Sequence, residues 1–248
     1  MRSSEEQRER AGRQTVGRQR GSLRRKRHLL RGCLLLSAVL LAASCETDTY
    51  DTGDGELSYL RADFVEAYTN DDGKLQYAVN DDDELLTLAS PKAVSWMTVA
   101  DTMYRALLYY DVLTVEPITV SSVLVPGIAM AEDVDSIATD PLYWDTSWIS
   151  ANGRYINLGM TMMLGAQDGE IGTQSLGMVC NDITSADDGT TTVSLLLFHN
   201  QNGVPEYYSQ RFYVSIPVSY LPCGTSEGDI VTLTVNTYDG EVTKEFEL

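Results

Sequence analysis

The chain has 248 residues, 18 of them Lys or Arg and 36 Asp or Glu, for a net charge of -18. Residues 1–44 hold eleven basic and three acidic residues, whereas the remaining 204 carry a net -26, the asymmetry of a cationic targeting segment on an acidic body. That body lacks the Lys and Arg that phosphate neutralisation requires, which removes nucleic acid from the expected partners, and its length allows one large core or two small ones.

Arg24, Arg25, Lys26, Arg27 and Arg31 precede an apolar stretch, Gly32 to Ala43, in the layout of a signal peptide. Twelve residues fall short of the roughly 20 that span a bilayer as a helix. The stretch closes with Leu41, Ala42, Ala43 and Ser44 before Cys45. This resembles a bacterial lipobox, which implies that Cys45 is lipidated and anchors the mature protein in the outer membrane of a Gram-negative cell. Residues 1–44 are therefore read as a basic extension plus a lipoprotein signal peptide. Residues 45–56 are acidic and poor in packing residues, as a tether is. Such an acidic patch is similar to the signals that carry some lipoproteins to the cell surface; a periplasmic spacer is the alternative.

Beyond the tether the pattern is strands throughout. In residues 57–130, Leu60 to Val65 alternates, Asn70 to Gly73 makes a turn, and Leu75, Tyr77 and Val79 alternate again. Leu85 to Leu88, Tyr104 to Val112 and Ile118 to Val125 complete five short strands, a count that suits an OB-like small barrel. The acidic, weakly patterned stretch Ala131 to Asp140 reads as a boundary. In residues 139–248, Leu142 to Trp148 is followed by a clean alternation of Ile156, Leu158, Met160, Met162 and Leu164 with Tyr155, Asn157, Gly159, Thr161 and Met163. That period predicts a half-buried antiparallel strand. Further runs at Ser175 to Asn181, Thr190 to His199, Tyr207 to Ile216, Ile230 to Tyr238 and Val242 to Leu248 bring the count to about seven and predict an antiparallel β-sandwich. Hairpins are expected at Asn200 to Glu206 and at Asp239-Gly240. The fold class is thus all-β.

The order of these segments resembles the NigD-like lipoproteins: lipobox, acidic tether, strand pair, Tyr104-Arg105-Ala106-Leu107-Leu108-Tyr109-Tyr110, Trp148 ahead of Tyr155-Ile156-Asn157-Leu158, His199-Asn200, and Thr232 to Gly240. The resemblance runs over nearly the whole mature chain. It implies an N-terminal OB-like domain and a C-terminal β-sandwich in an envelope protein of Gram-negative anaerobes with no established activity. The family name points to bacteriocin immunity or accessory work.

His199 is the only histidine of the mature chain, so Ser-His-Asp, Cys-His and multi-histidine metal sites lose their central residue. It shares a strand face with Val193, Leu195 and Leu197 and reads as structural. No catalytic residue, cofactor or metal is expected. Asp71-Asp72, Asp81 to Glu84, Glu132-Asp133 and Asp187-Asp188 lie in turns and lack EF-hand spacing, which leaves calcium a minor reading and solvated surface the main one. A glycan-processing enzyme would need two of these acids facing one cleft. Tyr143, Trp144, Trp148, Tyr207 and Tyr208 are candidate ligand-facing aromatics for a glycan or protein partner, although large aromatics in sandwiches are more often core. Cys180 and Cys223 remain in one exported domain, where a disulfide is expected over an inert buried thiol. The functional expectation is a non-catalytic envelope lipoprotein, a two-domain binding or accessory module held to the membrane by its lipid. A paired-carboxylate enzyme and a bacteriocin immunity protein are the alternatives.

Overall fold

The computed structural model describes residues 59–167 and 170–248; the signal segment, Cys45 and the acidic tether lie outside them. Strands β1 (Leu60–Thr69), β2 (Leu75–Asn80), β3 (Leu85–Lys92), β4 (Met103–Asp111) and β5 (Glu116–Ser122) form an antiparallel sheet in the order β3-β2-β1-β4-β5. Its inner face is the alternating set Val65, Ala67, Leu75, Ala78, Leu86, Ala106, Leu108 and Tyr110, all buried in one cluster with Met97. The β1–β2 turn is built by Asn70, whose Oδ1 accepts the amides of Asp72 and Lys74, and by Gly73 at φ +72°, a region that L side chains disfavour. The strand order is that of an OB barrel opened between β3 and β5. Across that opening the Trp96 indole donates to the Val120 carbonyl at 3.1 Å and Lys92 pairs with Glu116 at 3.6 Å.

The second half contains β6 (Ile128–Met130), β7 (Tyr143–Ile149), β8 (Tyr155–Leu164), the short β9 (Ala166–Gln167) and β10 (Glu170–Ile171), β11 (Ser175–Ser185), β12 (Thr191–Asn200), β13 (Tyr208–Pro217), β14 (Ile230–Thr237) and β15 (Gly240–Glu247). A three-stranded sheet, β13-β8-β7, faces a five-stranded sheet, β15-β14-β12-β11-β6. Between them lie Ile156, Leu158, Met160, Met178, Leu195, Val214, Ile216 and Leu233, each at most 1 % exposed. The architecture is all-β, with an OB-like sheet followed by a β-sandwich.

Several local expectations change. Ile128–Met130 pairs parallel with β11 and so belongs to the sandwich, because Ile128 and Met130 pack on its core. β12 also pairs parallel with β14, which makes the five-stranded sheet mixed; parallel neighbours need a crossover, and β13 supplies it from the opposite sheet. Asn200 to Glu206 is that crossover rather than a hairpin, since β13 pairs with β8 and not with β12. The β14–β15 hairpin exists, but Thr237 pairs with Gly240, so the turn residues are Tyr238 and Asp239 and Gly240 alone takes positive φ.

The largest departure is β8. Residues Tyr155 to Met160 are buried on both faces rather than one. Ile156, Leu158 and Met160 face the sandwich core, while Tyr155 and Asn157 meet Glu66 and Arg105 on the outer side of β1 and β4. Phe64 on β1 meets Trp148 and Tyr213 edge-on, with centroids 5.3 and 5.2 Å apart, and such pairs contribute roughly 0.5–1.5 kcal/mol each beyond their area. The link after β5 reinforces the contact: the Leu124 amide donates to the Tyr213 carbonyl and its own carbonyl accepts the Ser215 amide, at 2.9 and 2.8 Å. The first sheet is therefore a third layer on the sandwich.

Candidate functional site

The interface between β1/β4 and β8/β13 is polar at its centre. Arg105 projects from the outer face of β4 and its side chain is 1 % exposed. Its Nε donates to Ser215 Oγ at 3.1 Å and its Nη2 to Asp81 Oδ2 at 2.8 Å and Asn157 Oδ1 at 3.3 Å. The guanidinium lies 3.9 Å from the Tyr155 ring centroid, a cation–π stack. Nη1 faces Asp81 Oδ1 at 2.7 Å, close enough for an ion pair but without an aligned hydrogen bond. Ser215 Oγ in turn donates to Asn157 Oδ1 at 2.6 Å. One arginine of the first sheet thus engages three polar residues and two rings, Tyr155 and, at 5.5 Å, Phe64, two of those polar residues belonging to the sandwich.

Beside this junction a cleft of about 420 Å³ opens, lined by Glu66 and Met103 from the first sheet and by Arg154, Tyr155, Val218 and Thr225 from the sandwich. Glu66 is 7 % exposed. Its Oε1 accepts the Tyr155 hydroxyl at 2.9 Å, its Oε2 accepts the Tyr68 hydroxyl at 3.0 Å, and Arg154 Nη1 lies 3.3 Å from both oxygens. Arg154 also pairs through Nη2 with Asp83, so the guanidinium fills the space between the two carboxylates. Burial, and then the hydrogen bond to Glu66, push the Tyr155 hydroxyl above its ordinary range, and the Tyr68 hydroxyl is raised for the same reasons. Both phenols remain neutral donors at physiological pH.

In the turn Asp81 to Glu84, the side chains of Asp82, Asp83 and Glu84 are exposed as expected, and Asp81 alone is turned inward. Asp81 binds Arg105, Asp83 binds Arg154, and Asp82 and Glu84 lie 3.5 and 3.7 Å from Arg61. The acids are spent on three arginines, and among the described residues no group of three or more His, Cys, Asp or Glu is placed to hold a metal. His199 is 2 % exposed, with Nδ1 2.8 Å from the Asp140 carbonyl and Nε2 2.7 Å from Gln174 Oε1. That is a structural position, as its strand face suggested.

The candidate aromatics separate. Tyr143 is exposed and stacks on Tyr238 at 4.6 Å; Tyr207 and Tyr208 are also exposed, Tyr207 the most, at 73 %. Trp144 packs on the sandwich core beneath the Lys244 ammonium, 4.2 Å from its ring. Trp148 is half-buried against Phe64 at the interface. None of the five lines the cleft. Cys180 and Cys223 are free thiols, not the expected bridge. A bulge between Cys180 and Asp182 turns the Cys180 thiol onto the Asp182 carbonyl at 3.6 Å, and burial pushes that thiol above its ordinary value.

Of the residues that build the cleft and the junction, the sequence singles out neither Glu66, Arg154 nor Ser215, and it presents Asp81 only as a turn acid and Arg105 only as part of a packing motif. A signal was available in Arg105 and Asn157, each a polar residue inside an apolar run where both strand faces look buried.

Residues 127–248 match the model of the NigD-like C-terminal β-sandwich domain. A search of curated proteins gives no match. Among solved structures, the fold is similar to a NigD-like immunity protein from Bacteroides caccae (22 % identity, TM-score 0.56, covering 75 % of this chain and 96 % of that one). It is also similar to a provisionally named toxin-related protein from Parabacteroides distasonis (18 %, TM-score 0.58, 76 % and 93 %) and a provisionally named lipoprotein from Bacteroides fragilis (14 %, TM-score 0.50, 76 % and 96 %). At these identities the likeness is one of fold, and it spans both the first sheet and the sandwich.

Proposed function

Because the chain belongs to the NigD-like family, with that family's C-terminal sandwich in residues 127–248, we propose that it is a non-catalytic envelope lipoprotein that binds a ligand in the cleft between its first sheet and its sandwich. The observation that carries this reading is the state of Glu66. A glycosidase pair needs two carboxyls separated by open space for a sugar or a water. Here the space between Glu66 and Asp83 is taken by Arg154, and both oxygens of Glu66 are occupied by hydroxyl and guanidinium donors. Such an acid orients a bound group; it does not attack one. The cleft volume is within the 300–1,000 Å³ common for small-molecule sites.

The lipid anchor is supported by the Leu41 to Cys45 segment and by the lipoprotein naming of a structural relative. The test is calorimetric titration of the mature protein with oligosaccharide and peptide panels. Binding that weakens in Arg154→Ala supports the cleft; hydrolysis abolished by Glu66→Gln or Asp83→Asn refutes the non-catalytic reading. A second reading, bacteriocin immunity or accessory work, is favoured by the immunity naming of the Bacteroides caccae relative. It requires that deletion of the gene sensitise the producing cell to its own bacteriocin.

A further inference from the structure

The turn between β4 and β5 carries apolar side chains outward. Leu113 near its apex is 68 % exposed, with Ile118 at 49 %, Val112 at 40 % and the adjacent Tyr59 at 37 %, although turns ordinarily present polar groups to water. The turn is also well defined. Asp111 Oδ1 accepts the Leu113 amide at 2.8 Å and the Thr114 amide at 3.0 Å, and the Asp111 carbonyl accepts the Val115 amide at 2.8 Å. Val112 donates its own amide to the Tyr59 carbonyl at 2.8 Å. The apolar tip therefore lies where the described chain begins.

Thirteen residues separate Tyr59 from Cys45, a stretch that spans at most about 50 Å when fully extended. A lipid on Cys45 keeps this end of the body within that distance of a bilayer. The opposite end of β1 lies about 30 Å from this one by the rise of a ten-residue strand, so contact at one end is distinguishable from contact at the other. Charge narrows the kind of membrane. Asp111 and Glu116 flank the turn, and the neighbouring cations, Arg61 and Lys92, are already paired with Asp63 and Glu116, so anionic headgroups gain nothing here.

We propose that Tyr59, Val112, Leu113 and Ile118 form a bilayer-facing surface that enters the interfacial region of an uncharged, zwitterionic membrane and sets the orientation of the anchored body. This rests on the lipid-anchor reading above. The acyl chains hold the protein at the membrane; the tip decides which end faces it, and the cleft then has a fixed attitude to the bilayer.

The test uses acylated full-length mature protein in phosphatidylcholine vesicles with brominated acyl chains. Leu113→Trp is compared with Val99→Trp, each corrected for the signal of the parent protein. Val99 is also an exposed apolar residue, 56 % exposed, and its carbonyl accepts the hydroxyl of Thr69 at the far end of β1. Vesicle flotation reports the anchor separately. Flotation with a blue-shifted, strongly quenched Leu113→Trp emission and an unquenched Val99→Trp emission supports the proposal, and added phosphatidylserine leaves the quenching unchanged or smaller. Flotation with no quenching at position 113, or equal quenching at 99, overturns the surface while leaving the anchor intact. Loss of flotation overturns the anchor and the surface with it. If a second copy covers the tip instead, Leu113→Glu converts a dimer to a monomer in sedimentation and bromolipid has no effect, which also overturns the proposal.

Discussion

Substituting Asp81 by Ala removes the anion from a guanidinium that is 1 % exposed. Arg105 keeps Ser215, Asn157 and the Tyr155 ring, but none of these is an anion. Removing one partner of a buried ion pair typically costs about 3–5 kcal/mol, because the remaining charge stays desolvated. Asp81 is itself 17 % exposed at its side chain, so Arg105→Met, which keeps much of the volume and leaves the carboxylate able to turn to water, costs less, about 1–3 kcal/mol. For a body of this size 1 kcal/mol corresponds to roughly 2–4 °C in Tm, so Asp81→Ala lowers Tm by about 6–20 °C. The double variant Asp81→Ala/Arg105→Met recovers part of that loss, since no orphaned charge remains. The assay is guanidinium denaturation of the mature protein followed by circular dichroism, closed as a double-mutant cycle. A loss under about 1 kcal/mol for Asp81→Ala, or strict additivity in the double variant, would falsify the assignment of Arg105 as the charge that joins the first sheet to the sandwich.

Alkaline pH provides an independent check. Tyr110, Tyr155 and Tyr238 are raised above the ordinary phenol value, first by burial and then by their bonds to Asp63, Glu66 and Glu206. Their contribution to stability is full below the unfolded value near pH 10 and is lost as pH rises beyond it, through the raised folded values. Absorbance titration should therefore show these phenols ionising together with unfolding; three independent ordinary titrations near pH 10 in a folded protein contradict the reading. Gly165→Ala destabilises by about 1–3 kcal/mol, because a Cβ there would fall inside the backbone carbonyl of Pro205, whereas alanine at the open Gly224 position is tolerated. Urea midpoints of the two variants separate these cases. A Cys45→Ala form should release two thiols on denaturation without reductant, with Cys180 unreactive before it; one disulfide and no thiol contradicts the unbridged state.

The strands were legible in the sequence because alternation marks a surface with one wet side. Val231, Leu233 and Val235 alternate with Thr232, Thr234 and Asn236, and β14 falls where that period predicts, whereas in β1 the alternation of Leu60, Ala62 and Phe64 marks the face opposite to the core residues Val65 and Ala67. The failures come from places where both faces are dry. In β8 the alternation of Ile156 and Leu158 with Asn157 and Gly159 looks like core against solvent. Asn157 is nevertheless fully buried, because its polar group is matched by Arg105 and Ser215 from two other strands. A residue's own neighbours in sequence cannot reveal a partner 52 positions away. The same holds for Asp81, whose acidic neighbours suggested solvent and whose partner Arg105 arrives from another strand. The β12–β14 parallel pair was hidden for a different reason: Gln201 to Pro205 has the composition of a hairpin loop, and nothing local distinguishes a chain that turns back from one that crosses to the facing sheet.

The double burial of β8 bears on how the molecule can be divided. The family's sandwich segment, residues 127–248, reads as a self-contained module. Yet the outward faces of β7, β8 and β13 carry Trp148, Tyr155, Asn157, Tyr213 and Ser215, and the side chains of these are finished by Phe64, Glu66, Asp81 and Arg105 of the first sheet. Cut free at residue 127, the sandwich would expose a patch of aromatic rings around unpartnered polar groups, the composition of a sticky surface rather than a soluble one. The excised fragment is therefore the wrong reagent for locating a ligand, because any partner it captures would be recruited by the scar of the missing layer. The working unit for expression, crystallisation or transplantation into another scaffold includes the whole first sheet, from β1 onward.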